Sequence, residues 1–421
     1  MRTVSKTVIG VDFGTQSARA VLVNAENGEI IYSCRKEYPY NSTPVPAIDC
    51  AENLPCATDY EMTLYELLRN VIPEEYRKTV AGICVDATSL TMVLLAEDGR
   101  ALSELDGWSE AAHARVKLWK YHRAQEKADE ALNLARNLQE PFLGRTGGSI
   151  SCEWMLPKLL EVRDEAPEIY SKIDLAMDLC EFLTFRLTGQ LVRSIGSLSY
   201  KCLWAEDLSF PERTFLNGLR AGFYEEYCHF LRGDVRKLGE CAGVLRSELT
   251  KRWGLPEQIP VATGMLDGHT SLATMGAFEP GDAALIVGTS NVCTVQDRKL
   301  QELKDVCGVA QDGMVTGSCG IDTGQSSTGN MLGWFVEHMA GWQIHREAEE
   351  RKISPHQVLA ERIQKPWENK VIAVDWWSGS RNAPCDLTLR GSMSGLEMDT
   401  KTEDIYLALL QAIACGNGNN F

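Results

Sequence analysis

The sequence predicts an α/β protein of two lobes around a central cleft, with domains over residues 1–272 and 273–421. Three observations lead there. The chain has 421 residues, more than one ordinary core accommodates. Short apolar runs alternate with turn signals through its first ninety residues, the rhythm of an α/β lobe. A second strand system begins after a break near residue 272.

Strands are expected over 8–13, 18–23 and 29–33, a helix over 60–71 and a further strand over 80–85. Residues 111–160 turn helical and charged, with His113, Lys117, Lys120 and His122 near Trp119, which suggests an insertion or cap on the first lobe. Strand and turn signals return over 191–204, and a polar helical stretch follows to Trp253. From Ile259 the sequence reads as a buried strand ending in the glycine-rich turn Gly264-Met265-Leu266-Asp267-Gly268-His269. Strands over 283–287 and 291–295 open the second lobe, and Thr402 to Ala414 reads as a capped amphipathic helix.

Fifty-eight acidic residues against forty-two basic ones give a formal net charge of -16. A surface of that sign repels nucleic acid and anionic membranes, so neither is an expected partner. An anionic ligand must be held by local donors or by a metal. Residues 1–6 run straight into the apolar Val8 to Val11, with no leader pattern, and no uncharged stretch of about 18 residues could span a bilayer. The fourteen cysteines lack paired CxxC spacing and read as reduced thiols of a cytoplasmic chain.

The segment Asp12-Phe13-Gly14-Thr15-Gln16-Ser17-Ala18-Arg19 carries the first chemical signal. Its glycine lets the backbone turn tightly, so that successive N–H groups can face an anion, and the hydroxyls of Thr15 and Ser17 add donors. Asp12 at the strand end could hold Mg²⁺ through one carboxylate and waters. An ordinary hairpin with a capping aspartate would look the same. Gly288-Thr289-Ser290 repeats the turn between two apolar strands in the second lobe. Neither a Walker loop nor a protein-kinase signature occurs.

Residues 12–19 match every fixed position of Asp-x-Gly-Thr-x-Ser-x-Arg, the first phosphate motif of the FGGY carbohydrate kinases, and the chain resembles that family from Val8 to about Gly416. The resemblance implies an actin/hexokinase-like, ribonuclease H-like fold, ATP and Mg²⁺ as cofactors and a small sugar as substrate. It makes Asp267 the general base that accepts the sugar hydroxyl proton. It gives the ATP phosphates to Gly14, Thr15, Gln16, Ser17 and Arg19 from the first lobe, and to Gly288, Thr289, Ser290 and Gln325 from the second. Asp375 to Asn382 and Leu389-Arg390-Gly391 also resemble family segments.

Val85 to Met92, Val116 to His122, Glu153-Trp154 with Pro157-Lys158, and Tyr200 to Trp204 are similar to the branch of the family that phosphorylates L-ribulose. That likeness implies that Ser89, Lys201, Asp267 and Asp322 hold the sugar. Ala87 stands where the branch has Phe, and Asp322-Thr323 where it has Glu-Ala, so the pocket differs in shape. After the helix at 402–414 the family carries a glycine-rich adenosine segment, and this chain instead ends in Gly416 to Phe421. The expectation is therefore an incomplete second lobe with apolar surface uncovered and weak ATP binding. Two other readings stay open: a sugar-binding protein without turnover, and a kinase for another ketose or a polyol. The sequence also leaves a homodimer open.

Overall fold

The computed structural model describes residues 6–38, 54–364, 368–381, 386 and 388–418. The chain divides into two compact units. One comprises Met1–Leu143, Ile150–Gly276 and Ala310–Gly320, the other Gly144–Ser149, Ala277–Val309 and Ile321–Phe421. Asn382 and the last three residues, 419–421, lie outside the described residues.

The first unit is organised by one sheet. Strands β1 (Thr7–Phe13), β2 (Ser17–Asn24) and β3 (Ile30–Glu37) form an antiparallel meander, with Val8 opposite Val23 and Asp12 opposite Arg19. Strand β4 (Val80–Ala87) lies parallel to β1, and the short strands Pro260–Ala262 and Met265–Leu266 both lie parallel to β4. The order β3-β2-β1-β4 followed by Pro260–Ala262 is the ribonuclease H-like arrangement implied by the family resemblance.

The core follows from the pleat. On β1, Ile9, Val11 and Phe13 point to one face and are buried there against Tyr60, Leu64, Leu67 and Leu68 of helix α1 (Ala57–Val71). Each such side chain contributes roughly 1.5–3 kcal/mol of apolar burial. Pro73 follows the end of α1 and bars continuation. Phe182 and Leu183 of the helix Leu179–Thr188 join the same cluster.

Residues 191–204, expected as strand and turn, are half helix: Val192–Ser194 pairs with Asp234–Arg236 over three residues, and Ile195–Lys201 is α-helical. Six of that helix's seven residues are buried, so it has no polar face for periodicity to reveal. The polar stretch up to Trp253 likewise includes the strand Cys241–Val244 among its helices.

The second unit has a hairpin of Ala283–Val287 and Asn291–Asp297, continued into a four-stranded sheet by Cys319–Gln325 and Gly308–Gln311. Helices Gly329–Met339, Trp342–Arg351, Pro355–Arg362 and Thr402–Gly418 share a core of Met331, Phe335, Val358, Leu359, Tyr406 and Leu409. No helix among the described residues is long and apolar enough to cross a membrane. Twelve cysteines are described, and all are free thiols.

Candidate active site

Three aspartates meet at one edge of the first unit because three parallel strands end there. Asp12 pairs in register with Asp86 across β1 and β4, and Met265 pairs with Asp86 on the other side, so Asp267 follows two residues later. Neighbouring strands lie about 4.8 Å apart, close enough for the carboxylates to interact strongly. The carboxyl ends of parallel strands at such a point are where open α/β sheets bind ligands. Asp86 is held far above the usual carboxylate range, first by burial, then by the charges of Asp12 and Asp267 and by a hydrogen bond with Asp12.

Asp267 opens the helix Asp267–Met275 directly; it does not sit in a loop. Gly264 lets the preceding strand approach the helix Leu179–Thr188, since a Cβ there would stand 2.7 Å from the Cys180 carbonyl oxygen. Part of the Asp267 surface stays open while protein packs around the rest. Burial pushes its carboxyl up to about 6. The Gly268 N–H on Oδ1 at 2.7 Å, the Ser89 N–H and the Lys201 charge pull it down, while Asp12 pushes it up.

Lys201 is 5% exposed, so it is no solvated surface lysine. Its helix is anchored upstream by Arg193, whose guanidinium lies 2.7 Å from Glu181 with both side chains buried. The Ser194 N–H donates to the same carboxylate at 2.9 Å. The Tyr200 hydroxyl donates to the Gly320 carbonyl at 2.7 Å, and the Tyr200 ring meets His269 edge-on, with centroids 4.8 Å apart. The helices bearing Lys201 and Asp267 thus touch directly.

The turn 14–17 closes with the Gly14 N–H on the Ser17 carbonyl at 3.1 Å. Side chains from distant segments brace it. The Tyr38 hydroxyl donates to the Gly14 carbonyl at 2.8 Å, the Trp119 indole to Thr15 Oγ1 at 3.1 Å, and Arg35 Nε to Ser17 Oγ at 3.0 Å. Each hydroxyl that accepts in this way keeps its own O–H to donate. Gln16 and Arg19 are exposed.

In the second unit, Gly288 N–H donates to the Ser290 carbonyl at 3.1 Å, so both turns close on a glycine amide. Here the brace is local. The Gly288 carbonyl accepts from Gly329 N–H at 3.0 Å and from Thr328 Oγ1 at 2.9 Å, and the Thr289 carbonyl accepts from Thr328 N–H at 3.1 Å. A Cβ on Gly329 would stand 2.5 Å from the Gly288 oxygen, which fixes glycine there. Gln325 is buried and bonded at both ends: Asn291 Nδ2 donates to its Oε1 at 2.9 Å, and its Nε2 donates to Asp375 and to the Ile413 carbonyl. Asp322 is 7% exposed on Cys319–Gln325 and raises the nearby Cys293 thiol, after burial.

Sequence reasoning placed Asp12, Ser89, Lys201 and Asp267, which the first unit brings together, and missed Asp86. Asp86 joins them through the parallel register of β1 and β4. Asp12 and Asp86 are oxygen donors of the kind a hard divalent cation takes. Among the described residues no group of three or more His, Cys, Asp or Glu is placed to hold a metal ion.

Residues 7–274 match the N-terminal domain of the FGGY family of carbohydrate kinases, and residues 283–417 match its C-terminal domain. The ribulokinase of Halalkalibacterium halodurans is 34% identical over 98% of this chain and 75% of its own length. The ribulokinase of Mycolicibacterium smegmatis is 36% identical, again over 98% and 75%. The ligand-bound xylulose kinase of Lactobacillus acidophilus superposes with a TM-score of 0.75 at 19% identity, over 97% of this chain and 76% of that one. At that identity the likeness speaks for fold alone, and the fold is the actin/hexokinase-like one. Domain matches that span nearly the whole sequence, together with relatives above 30% identity, place the chain in the FGGY family of carbohydrate kinases.

Proposed function

We propose that the chain transfers the γ-phosphate of ATP to L-ribulose, giving L-ribulose 5-phosphate. The observation that carries this reading is the Asp267 carboxylate, pushed up to about 6 while it takes the Ser89 N–H, with Lys201 and Asp12 near enough to act on it. A carboxyl tuned close to neutral pH can accept a proton at the working pH and release it afterwards. Resemblance to two ribulokinases over nearly the full chain supports the choice of sugar.

In this reading residues 1–272 are the sugar-binding domain with the first phosphate turn, and 273–421 carry the second. Asp267 accepts the hydroxyl proton as the sugar oxygen attacks phosphorus. Lys201, the Ser89 backbone and Asp322 contact the ketose hydroxyls, and a wrong sugar is rejected because it leaves such buried groups unpaired. The amides and hydroxyls of Gly14 to Ser17, with Arg19, and those of Gly288 to Ser290, face the phosphates. Gln325 acts by holding Asn291 beside the second turn. Asp12, with Asp86 beside it, would hold magnesium, which would supply charge neutralisation at the phosphate oxygens.

A coupled ADP-release assay over a panel of pentuloses and pentitols tests the reading, with L-ribulose expected to give the highest kcat/KM. A higher value for another sugar reassigns the substrate. Heat of binding from the sugar but none from Mg-ATP, with no turnover, makes the chain a sugar-binding protein instead.

A further inference from the structure

Leu90, next to the sugar-side Ser89, has φ +64°, the left-handed region that a leucine enters only where its surroundings over-determine it. Both polar groups of its backbone are taken by charged side chains from elsewhere in the unit. Its N–H donates to Asp178 Oδ2 at 3.0 Å, and its carbonyl accepts from Lys158 Nζ at 2.6 Å. Asp178 closes the strand Leu175–Asp178, and Lys158 lies on the helix Met155–Glu165.

Lys158 is fully buried, and each of its three N–H groups has an acceptor. Besides Leu90, its ammonium donates to the carbonyls of Leu118 at 2.9 Å and Lys117 at 3.3 Å. Burial pulls its ammonium down to about 7, and the carboxylates of Glu153 and Asp178 work in the other direction. The residue after Leu118 is Trp119, whose indole N–H sits on Thr15 of the first phosphate turn. Thr88 adds a third tie, since its N–H donates to the Phe13 carbonyl at 2.9 Å. A surface lysine would do none of this. A buried cation spent wholly on backbone carbonyls is costly to keep, and its return is geometric.

We infer that Lys158 and Asp178 are positioning residues that lock the left-handed Leu90 turn and thereby aim the Ser89 N–H at the Asp267 carboxylate. The inference deepens the proposed function and rests on it for its kinetic consequence, while the geometric consequence stands alone. Misplacing a group that orients sugar and base should weaken the use of sugar more than the use of nucleotide.

The experiment compares the full chain with Lys158→Met, which keeps the stem and removes all three donors, and reads two quantities. Hydrogen exchange over residues 86–93 should speed up at least ten-fold while exchange in β1 stays unchanged. KM for L-ribulose should rise about ten-fold while KM for Mg-ATP stays within two-fold. Asp178→Asn, which keeps an oxygen for the Leu90 N–H, should stay near wild type, and Asp178→Leu should reproduce the Lys158→Met pattern. If Lys158→Met does not fold, the Asp178 pair decides by the same readouts. Unchanged exchange over 86–93, or equal loss for both substrates, overturns the inference. A wild-type chain without pentulose turnover sinks the proposed function alone, and the exchange arm still decides whether the brace exists.

Discussion

The two glycine-threonine turns close alike and are held differently. The turn at 14–17 is pinned by Tyr38, Trp119 and Arg35, side chains that reach it from remote sequence, and it stands beside three carboxylates and a buried lysine. The turn at 288–290 is pinned by neutral amides and one hydroxyl from residues 328–330, at the start of the helix that follows. The region that carries buried charge is braced by long-range contacts, whereas the other rests on a short scaffold of N–H groups at a helix N-terminus.

The hardest break comes at the charged end. Asp267→Asn should lower kcat by about 10²–10⁴-fold, the usual worth of a positioned base, and leave pentulose affinity within a few-fold in calorimetric titration. Wild-type turnover in that variant removes Asp267 from the role. The pH profile probes the same group more gently. Its folded value of about 6 lies above the ordinary one, so the folded chain holds this proton more tightly than the unfolded chain does. Stability from this group therefore declines as pH rises from about 4 towards 6. Turnover climbs over the same window, because only the carboxylate accepts a proton. Initial rates against pH should show kcat/KM for the sugar falling about ten-fold per unit below pH 6.

The second turn should answer to one residue. Thr328→Val removes the hydroxyl that serves Gly288, Thr289 and Asn291, at a cost of about 1–3 kcal/mol for the buried groups left unpaired. KM for Mg-ATP should rise about ten-fold with the sugar KM unchanged, and Thr328→Ser should restore it. The first turn, with its several ties, should lose less from any one. Trp119→Phe removes a single neutral bond of about 0.5–1.5 kcal/mol and should raise the nucleotide KM about five-fold. A larger effect for Trp119→Phe than for Thr328→Val reverses the contrast.

Much of this was legible in the residues. The strands bounding both turns fall where alternation and punctuation put them, and Ala283–Val287 agrees end to end. Asp12 and the turn at 14–17 were readable because a tight turn after a strand needs glycine and small hydroxyl residues, whereas Asp267 was singled out by the family resemblance. What stayed hidden depends on register and burial. Asp86 joins the site only because β4 lies parallel to β1 with 12 opposite 86, a pairing that no local pattern encodes. Trp119 and Tyr38 reach the first turn across 104 and 24 residues of sequence. The helix Ile195–Lys201 escaped because burial on nearly all sides leaves no amphipathic stripe.

The edge-on packing of Tyr200 against His269 carries a lesson for anyone retuning this enzyme. It couples the helix of Lys201 to the helix of Asp267, so a backbone shift in one would carry the other along. On the proposed reading, acceptor range is therefore better widened by single side-chain changes than by remodelling either helix.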